Sequence, residues 1–473
     1  MKNIVRVLAV LLSSSLITIV AGMVRQKMLA LEIGAVGVGH LGLLMTLAGA
    51  AATLGGLGLS TSGVQRVTVT QHTPDAGAAQ RSLTVGTAIL GVLAGILTAM
   101  LAPYFGITPT GPDRWATALA VMLTITSAGQ IAVLNGLGQL HTIAWVNGLG
   151  AVLGTICTLL VLWLMPNWGL YTALLAPLLI TTVMAVLMQR PHRAPATGIS
   201  ADALRTQLRA MLSLGVVFSA GAGLATLGQY GARWYIEQRF GSVALGQYQA
   251  AWALTMLYLG VLLTAMSTEF FPRISKAAEQ SSPAELTRMV SQQITLTVTL
   301  ALPAICLLVL CSEYVVTLLY SPEFRPAALL ARQQFMGDIF KLAAWAIGFT
   351  LLARQAKLYM FLLELLWSVI YLVLLWLFSR TGDFTAVGWA YVGAYAVYLF
   401  GSVYAFRQNV GIALPGRLWL VTLGAVVLVG VHLWVAPSLR WSLVLAVLDL
   451  FALAVAAWWF WRRRQAAKPT AVA

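Results

Sequence analysis

The chain has 473 residues, of which 60% are hydrophobic and only 9% charged, where a soluble domain carries roughly a quarter charged residues. No water-soluble fold hides that much apolar surface, and the apolar–polar alternation of an outer-membrane barrel is missing, so the expected class is an all-α membrane protein. The balance of 29 Lys and Arg against 14 Asp and Glu gives a net charge of +15, which in this class reads as positive-inside topology and not as nucleic-acid binding.

Apolar runs of about 20 residues, enough to cross roughly 30 Å of hydrocarbon as helix, recur along the chain about fourteen times. The first six predicted spans lie near 7–30, 41–67, 82–104, 115–139, 143–164 and 169–188. Lys2 and Arg6 ahead of an apolar run imitate a signal peptide, but the run continues toward Leu31, so an uncleaved first span is expected. After a basic segment at 189–210, eight more spans fall near 211–237, 245–270, 290–310, 327–353, 358–378, 385–406, 418–436 and 441–461.

One set of loops and ends holds most of the cations, from Lys2, Arg6, Arg66 and Arg81 through Arg190 and Arg193 to Arg462, Arg463, Arg464 and Lys468. The opposite loops hold only Arg114, Arg239, Arg325, Arg380 and Arg440. An even span count with two basic ends places both termini in the cytoplasm. The stretch Gly34–Leu41, which links the first two spans, is echoed by Gly241–Tyr248 between spans seven and eight. Repeated halves are common in secondary transporters. The expected organisation is therefore two six-helix lobes, 1–196 and 210–406, with an additional helix pair at 417–461.

Catalytic constellations are absent from the pattern. There is no GxxxxGK[ST] phosphate loop, the aspartates and the five histidines stand apart, and Cys157, Cys306 and Cys311 have no metal or redox spacing. No catalytic residue, metal ligand or cofactor is assigned. The longest outward loop, about 311–326, is too short for a catalytic domain. What stands out is charge inside spans, which costs at least roughly 2.5 kcal/mol per group at a helix centre and calls for a cavity or a partner. Gln334, Asp338, Lys341 and Trp345 share one face of span ten, and Gln229, Arg233 and Glu237 one face of span seven. Arg25 and Lys27 lie in span one, with Arg25 and Arg233 at matching places ahead of the glycine motifs. Asp338 and Lys341 could couple transport to an ion, or simply neutralise each other at (i, i+3); the cations could line a basic cavity suited to an anion, or snorkel to the interface. Glu364 and Asp449 read as lone acids. Ser60, Thr61, Ser62 and Gln65 at the end of span two, with Gln130, Asn135 and Gln139 in span four, suit sugar hydroxyls or helix–helix contacts equally well.

Arg25-Gln-Lys27, the glycine stretch 34–42 and Gly56-Leu-Gly-Leu-Ser-Thr-Ser-Gly63-Val-Gln-Arg66 resemble the opening of bacterial lipid-linked oligosaccharide flippases. These are the O-antigen translocases of the multidrug/oligosaccharidyl-lipid/polysaccharide exporter superfamily. Phe324-Arg325, Gly337-Asp-Ile-Phe-Lys341, Leu358-Tyr359 and Glu364 are similar to a stretch of the enterobacterial common antigen flippases. The resemblance implies transport, in the inner membrane, of an undecaprenyl-pyrophosphate-linked oligosaccharide for O-antigen or similar lipopolysaccharide synthesis. Its implied partners are membrane lipid, a glycan polymerase and a chain-length regulator, with no nucleic acid and no cofactor. It implies roles for Lys27, Arg66, Asp338, Lys341 and Glu364, while Arg25 and Arg233 rest on their charge within spans. The chain departs by its thirteenth and fourteenth spans, a feature of the peptidoglycan-precursor and some polysaccharide branches. The competing readings are a drug or cation antiporter of the same superfamily, expected to use membrane acids, a membrane-embedded glycosyltransferase or polymerase, and a structural membrane subunit.

Overall fold

The structure, a computed structural model, describes residues 2–106, 111–194, 200–436, 444–452 and 455; for residues 2–15, 217 and 218 it describes the backbone alone. Every regular element among the described residues is helical. The protein is a multi-pass membrane protein, as the composition requires: a bilayer offers backbone groups no water, and a helix satisfies them within itself. The chain forms two compact units, residues 1–246 with 319–321, and residues 247–318 with 322–473.

The first unit contains α1 (Lys2–Glu32), α2 (Gly34–Gly55), α3 (Leu59–Thr70), α4 (Ala76–Leu101), α5 (Pro112–Gly136), α6 (Leu140–Leu164), α7 (Gly169–Gln189) and α8 (Ala201–Phe240). Helices in lipid associate through close packing and not through hydrophobic transfer, and small residues permit it here. Gly91 and Gly95 set α4 against α5 so closely that added Cβ atoms would lie 3.0 and 2.9 Å from the carbonyl oxygens of Met122 and Ala118. Only Ile33 separates α1 from α2, with Gly34 at φ +62°, and only Gly241, at φ +86°, separates α8 from the next helix. These are the equivalent glycines of the sequence repeat. Gly34 is the first residue of α2 and Gly241 stands immediately before the next helix, so the two motifs are helix starts and not linking loops. Within the first unit the copies meet: a Cβ on Gly39 would sit 2.6 Å from the backbone nitrogen of Gly246, and one on Gly246 would collide with the Ala35 carbonyl. The predicted second span is broken, because Leu57 and Gly58 both take positive φ between α2 and α3.

Helix α9 (Ser242–Ala265) begins in the first unit and continues in the second, followed there by α10 (Phe271–Gln280), α11 (Pro283–Leu319), α12 (Arg325–Ala353), α13 (Lys357–Phe378), α14 (Ala386–Val410), α15 (Arg417–Val435) and a helical stretch at 444–452. Helix α12 is buried along most of its length and packs on α10, α13, α14 and α15. Because α11 continues to Leu319, most of the outward loop expected at 311–326 is helix. Ahead of α14, the Asp383 carboxylate accepts hydrogen bonds from the Thr385 backbone N–H (2.8 Å) and hydroxyl (2.6 Å), which hold its pKa below the ordinary carboxylate value.

Among the described residues eleven helices are long and apolar enough to cross a membrane, or twelve with α8, which bends by 49° between Val216 and Ser219. The other two of the predicted fourteen are α1 and the last span, of which only 444–452 and 455 are described. Arg440, Arg462, Arg463, Arg464 and Lys468, the side chains of Lys2 and Arg6, and residues 195–199 of the basic segment also lie outside the described residues.

Candidate functional site

The second unit holds a polar core on α12. Gln334 and Asp338 have no exposed surface and Lys341 is 2% exposed, so the charges of Asp338 and Lys341 and the amide of Gln334 call for partners. Tyr258 of α9 donates to one Asp338 oxygen, and Tyr391 of α14 donates to the other at 2.7 Å. The Lys341 ammonium donates to that same Tyr391 hydroxyl at 3.1 Å. Asp338 and Lys341 therefore form no direct (i, i+3) pair, because the tyrosine of α14 enters between them and relays the interaction. The ammonium also lies 4.8 to 5.6 Å from the ring centres of Trp252, Trp345, Tyr391 and Tyr395, a distance at which aromatic faces stabilise a desolvated cation. One turn before Asp338, Gln334 accepts from Thr255 at 3.1 Å, and its buried amide nitrogen has no partner. Glu364 of α13 accepts from Tyr398 at 3.4 Å and lies within electrostatic reach of Lys341. The structure thus gathers Asp338, Lys341 and Glu364 around one tyrosine-rich core.

A cavity of about 930 Å³ lies elsewhere in the second unit. Arg273, Arg417, Gln292 and Gln293 give it cationic and amide walls; Met289, Leu296, Leu300 and Pro303 give it apolar ones. Such a lining suits an amphipathic anion.

In the first unit, the break between α2 and α3 borders a cavity of about 340 Å³, lined by the hydroxyls of Thr53, Ser60, Thr61, Thr87, Thr124 and Ser219. Ser60 and Thr61, expected as sugar-binding candidates, are on its wall. Ser62 is instead buried and donates to the carbonyl of Gly58 at 3.1 Å. Arg25 and Lys27 are half-buried on α1. Arg233 is buried on α8 and donates to the Gln229 carbonyl at 3.2 Å. Arg66 donates to the Gln207 side chain at 2.5 Å, tying α3 to α8.

Sequence spacing missed the partners. Trp252, Thr255 and Tyr258 step by three, and Tyr391, Tyr395 and Tyr398 by four and three, so each set marks one helical face. That polar–aromatic stripe was the available signal. Three side-chain pairs carried none: Arg332 reaches Glu313 at 3.1 Å, and two of the histidines treated as isolated are paired, His40 with Asp113 at 2.9 Å and His432 with Asp449 at 3.2 Å. Tyr171 also donates to Asp113 at 2.8 Å. Asp449 is accordingly not a lone acid.

A family model described as "Polysaccharide biosynthesis protein" matches residues 37–329. No curated protein sequence matches the chain significantly. Among solved structures, a lipid II flippase MurJ in an inward closed conformation is similar at a TM-score of 0.72 and 12% identity, covering 96% of this chain and 99% of that one. An inward-facing multidrug resistance MATE family transporter gives 0.64 and 15%, covering 85% and 98%. A MOP superfamily transporter from Pyrococcus furiosus gives 0.56 and 16%, covering 87% and 94%. At these identities the likeness is one of fold.

Proposed function

The chain belongs to the polysaccharide biosynthesis protein family, and on that premise we propose that it is a flippase carrying an undecaprenyl-pyrophosphate-linked oligosaccharide from the cytoplasmic to the periplasmic leaflet of a bacterial inner membrane. It works by alternating access of two helical lobes and serves O-antigen or similar surface polysaccharide synthesis. The observation that carries a lipid-linked anionic substrate is the cavity of about 930 Å³ that combines Arg273 and Arg417 with apolar walls. Polyprenyl chains need apolar surface and pyrophosphate needs cations, and arginine supplies the latter through paired N–H donors. Within the first unit, Arg25, Lys27, Arg66 and Arg233 are the cations assigned to the anionic substrate, and the cavity lined by Ser60 and Thr61 suits sugar hydroxyls. Asp338, Lys341 and Glu364 are the coupling groups, since a buried ionisable set within a span is where a transported ion or proton changes the charge balance.

The test is surface-glycan export alongside membrane abundance. An Arg25→Ala/Arg233→Ala double variant should remain abundant and lose export, and lysine at both positions should restore part of it. Arg273→Gln/Arg417→Gln should weaken binding of polyprenyl pyrophosphate to the purified protein at least about tenfold, because each charge-assisted bond is worth about 1.5–3 kcal/mol. Full export from the first pair and unchanged binding in the second would overturn the assignment.

A further inference from the structure

Three elements of the second unit that are remote in sequence converge on one cluster: Cys306 of α11, His432 of α15 and Asp449 of the stretch 444–452. Their sulfur, imidazole nitrogen and carboxylate oxygen all lie within 4.8 Å of one another, and all three residues are buried, Cys306 fully, His432 at 2% and Asp449 at 8% exposure.

The imidazole is oriented by its other nitrogen. His432 Nδ1 lies 2.9 Å from the Leu428 carbonyl oxygen, which only accepts, so Nδ1 carries the hydrogen and a neutral ring presents the lone pair of Nε2. That lone pair points at Asp449 Oδ2, 3.2 Å away. Two electron-rich atoms this close require a positive centre, either a shared proton or a metal ion. A ring nitrogen donating to a backbone carbonyl while the other faces the ligand set is the usual support of a metal-bound histidine. The spacing also suits a metal: nitrogen and oxygen ligands at about 2.0–2.1 Å from zinc in tetrahedral geometry stand about 3.3 Å apart. The thiol needs to move by only about an ångström to complete a trigonal face.

Charge sets the valence of the ion and the ligand atoms set its softness. A thiolate, a carboxylate and a neutral imidazole carry two negative charges, which balance one divalent cation, so the occupied site is neutral inside the bilayer. Sulfur and imidazole favour zinc over magnesium or calcium.

We propose that Cys306, His432 and Asp449 form a zinc site with three protein ligands that fastens α15 and the following helical stretch to α11. The fourth position is filled by water or another small donor. Binding displaces the thiol proton, which passes to solvent as the Zn–S bond forms.

The full-length chain, purified in detergent from cells grown with zinc, should contain about one zinc per chain. Material grown with cobalt should show thiolate-to-cobalt charge-transfer absorption in the near ultraviolet together with the visible bands of a tetrahedral ion. C306S should abolish the charge-transfer absorption, whereas C157S and C311S should keep it. H432A and D449N should lower metal retention at least tenfold. Zinc restored to chelator-stripped protein should raise the melting temperature of the wild type and not of C306S. Substoichiometric metal in the wild type, or a thiolate band that survives in C306S, would overturn the proposal and leave a proton shared between His432 and Asp449. A C306S chain that elutes as a monodisperse peak and melts as the zinc-loaded wild type does would overturn it as well.

Discussion

Neutralising Asp338 and Lys341, singly and together, probes whether the Tyr391 bridge couples them. The hydroxyl accepts from the ammonium at 3.1 Å and donates to the carboxylate at 2.7 Å, so the charges stand no more than about 6 Å apart, worth about 3 kcal/mol at an effective dielectric near 20. Removing one partner leaves the other buried and uncompensated, a loss of about 3–5 kcal/mol. At about 1 °C per kcal/mol for a chain of 473 residues this is a fall of roughly 3–5 °C in melting temperature for Asp338→Asn or Lys341→Gln. The double variant removes both desolvation penalties and should regain most of that loss, since neutral side chains still fit among Tyr258, Tyr391 and the surrounding rings. The assay is thermal unfolding of detergent-purified protein for wild type, both singles and the double, paired with glycan export and abundance in cells. A coupling role predicts an abundant double variant that does not export. Additive losses in the double variant would sink the bridge, and wild-type export from it would reduce the pair to scaffold.

Two further outcomes follow from the fold and the charge pattern. Gly246→Ala places a methyl group against the Ala35 carbonyl, a backbone atom that cannot rotate away, and should cost at least about 1–3 kcal/mol; a variant that melts with the wild type would refute the close approach. Reporter fusions at Arg81, Gln207 and the carboxyl terminus should report cytoplasm, and one at Pro109, which lies outside the described residues, periplasm; a periplasmic carboxyl terminus would break the even span count.

The all-helical, multi-pass class was legible before any coordinates, because a bilayer permits few backbone arrangements and long apolar runs state which one is used. Equivalent turns at Gly34 and Gly241 were legible too, since a φ near +60 to +90° admits few residues but glycine. The charged face of α12 was visible from spacing alone, because residues three and four apart on one helix lie together whatever surrounds them. Its chemistry was not. Tyr391 stands 53 residues from Asp338, His40 is 73 from Asp113, and Asp449 is 17 from the His432 it faces on another helix. Helix periodicity fixes which residues share a face and says nothing of which foreign helix that face meets. Bridged charges, paired histidines and the Cys306–His432–Asp449 cluster arise only when tertiary packing brings distant faces within bonding distance.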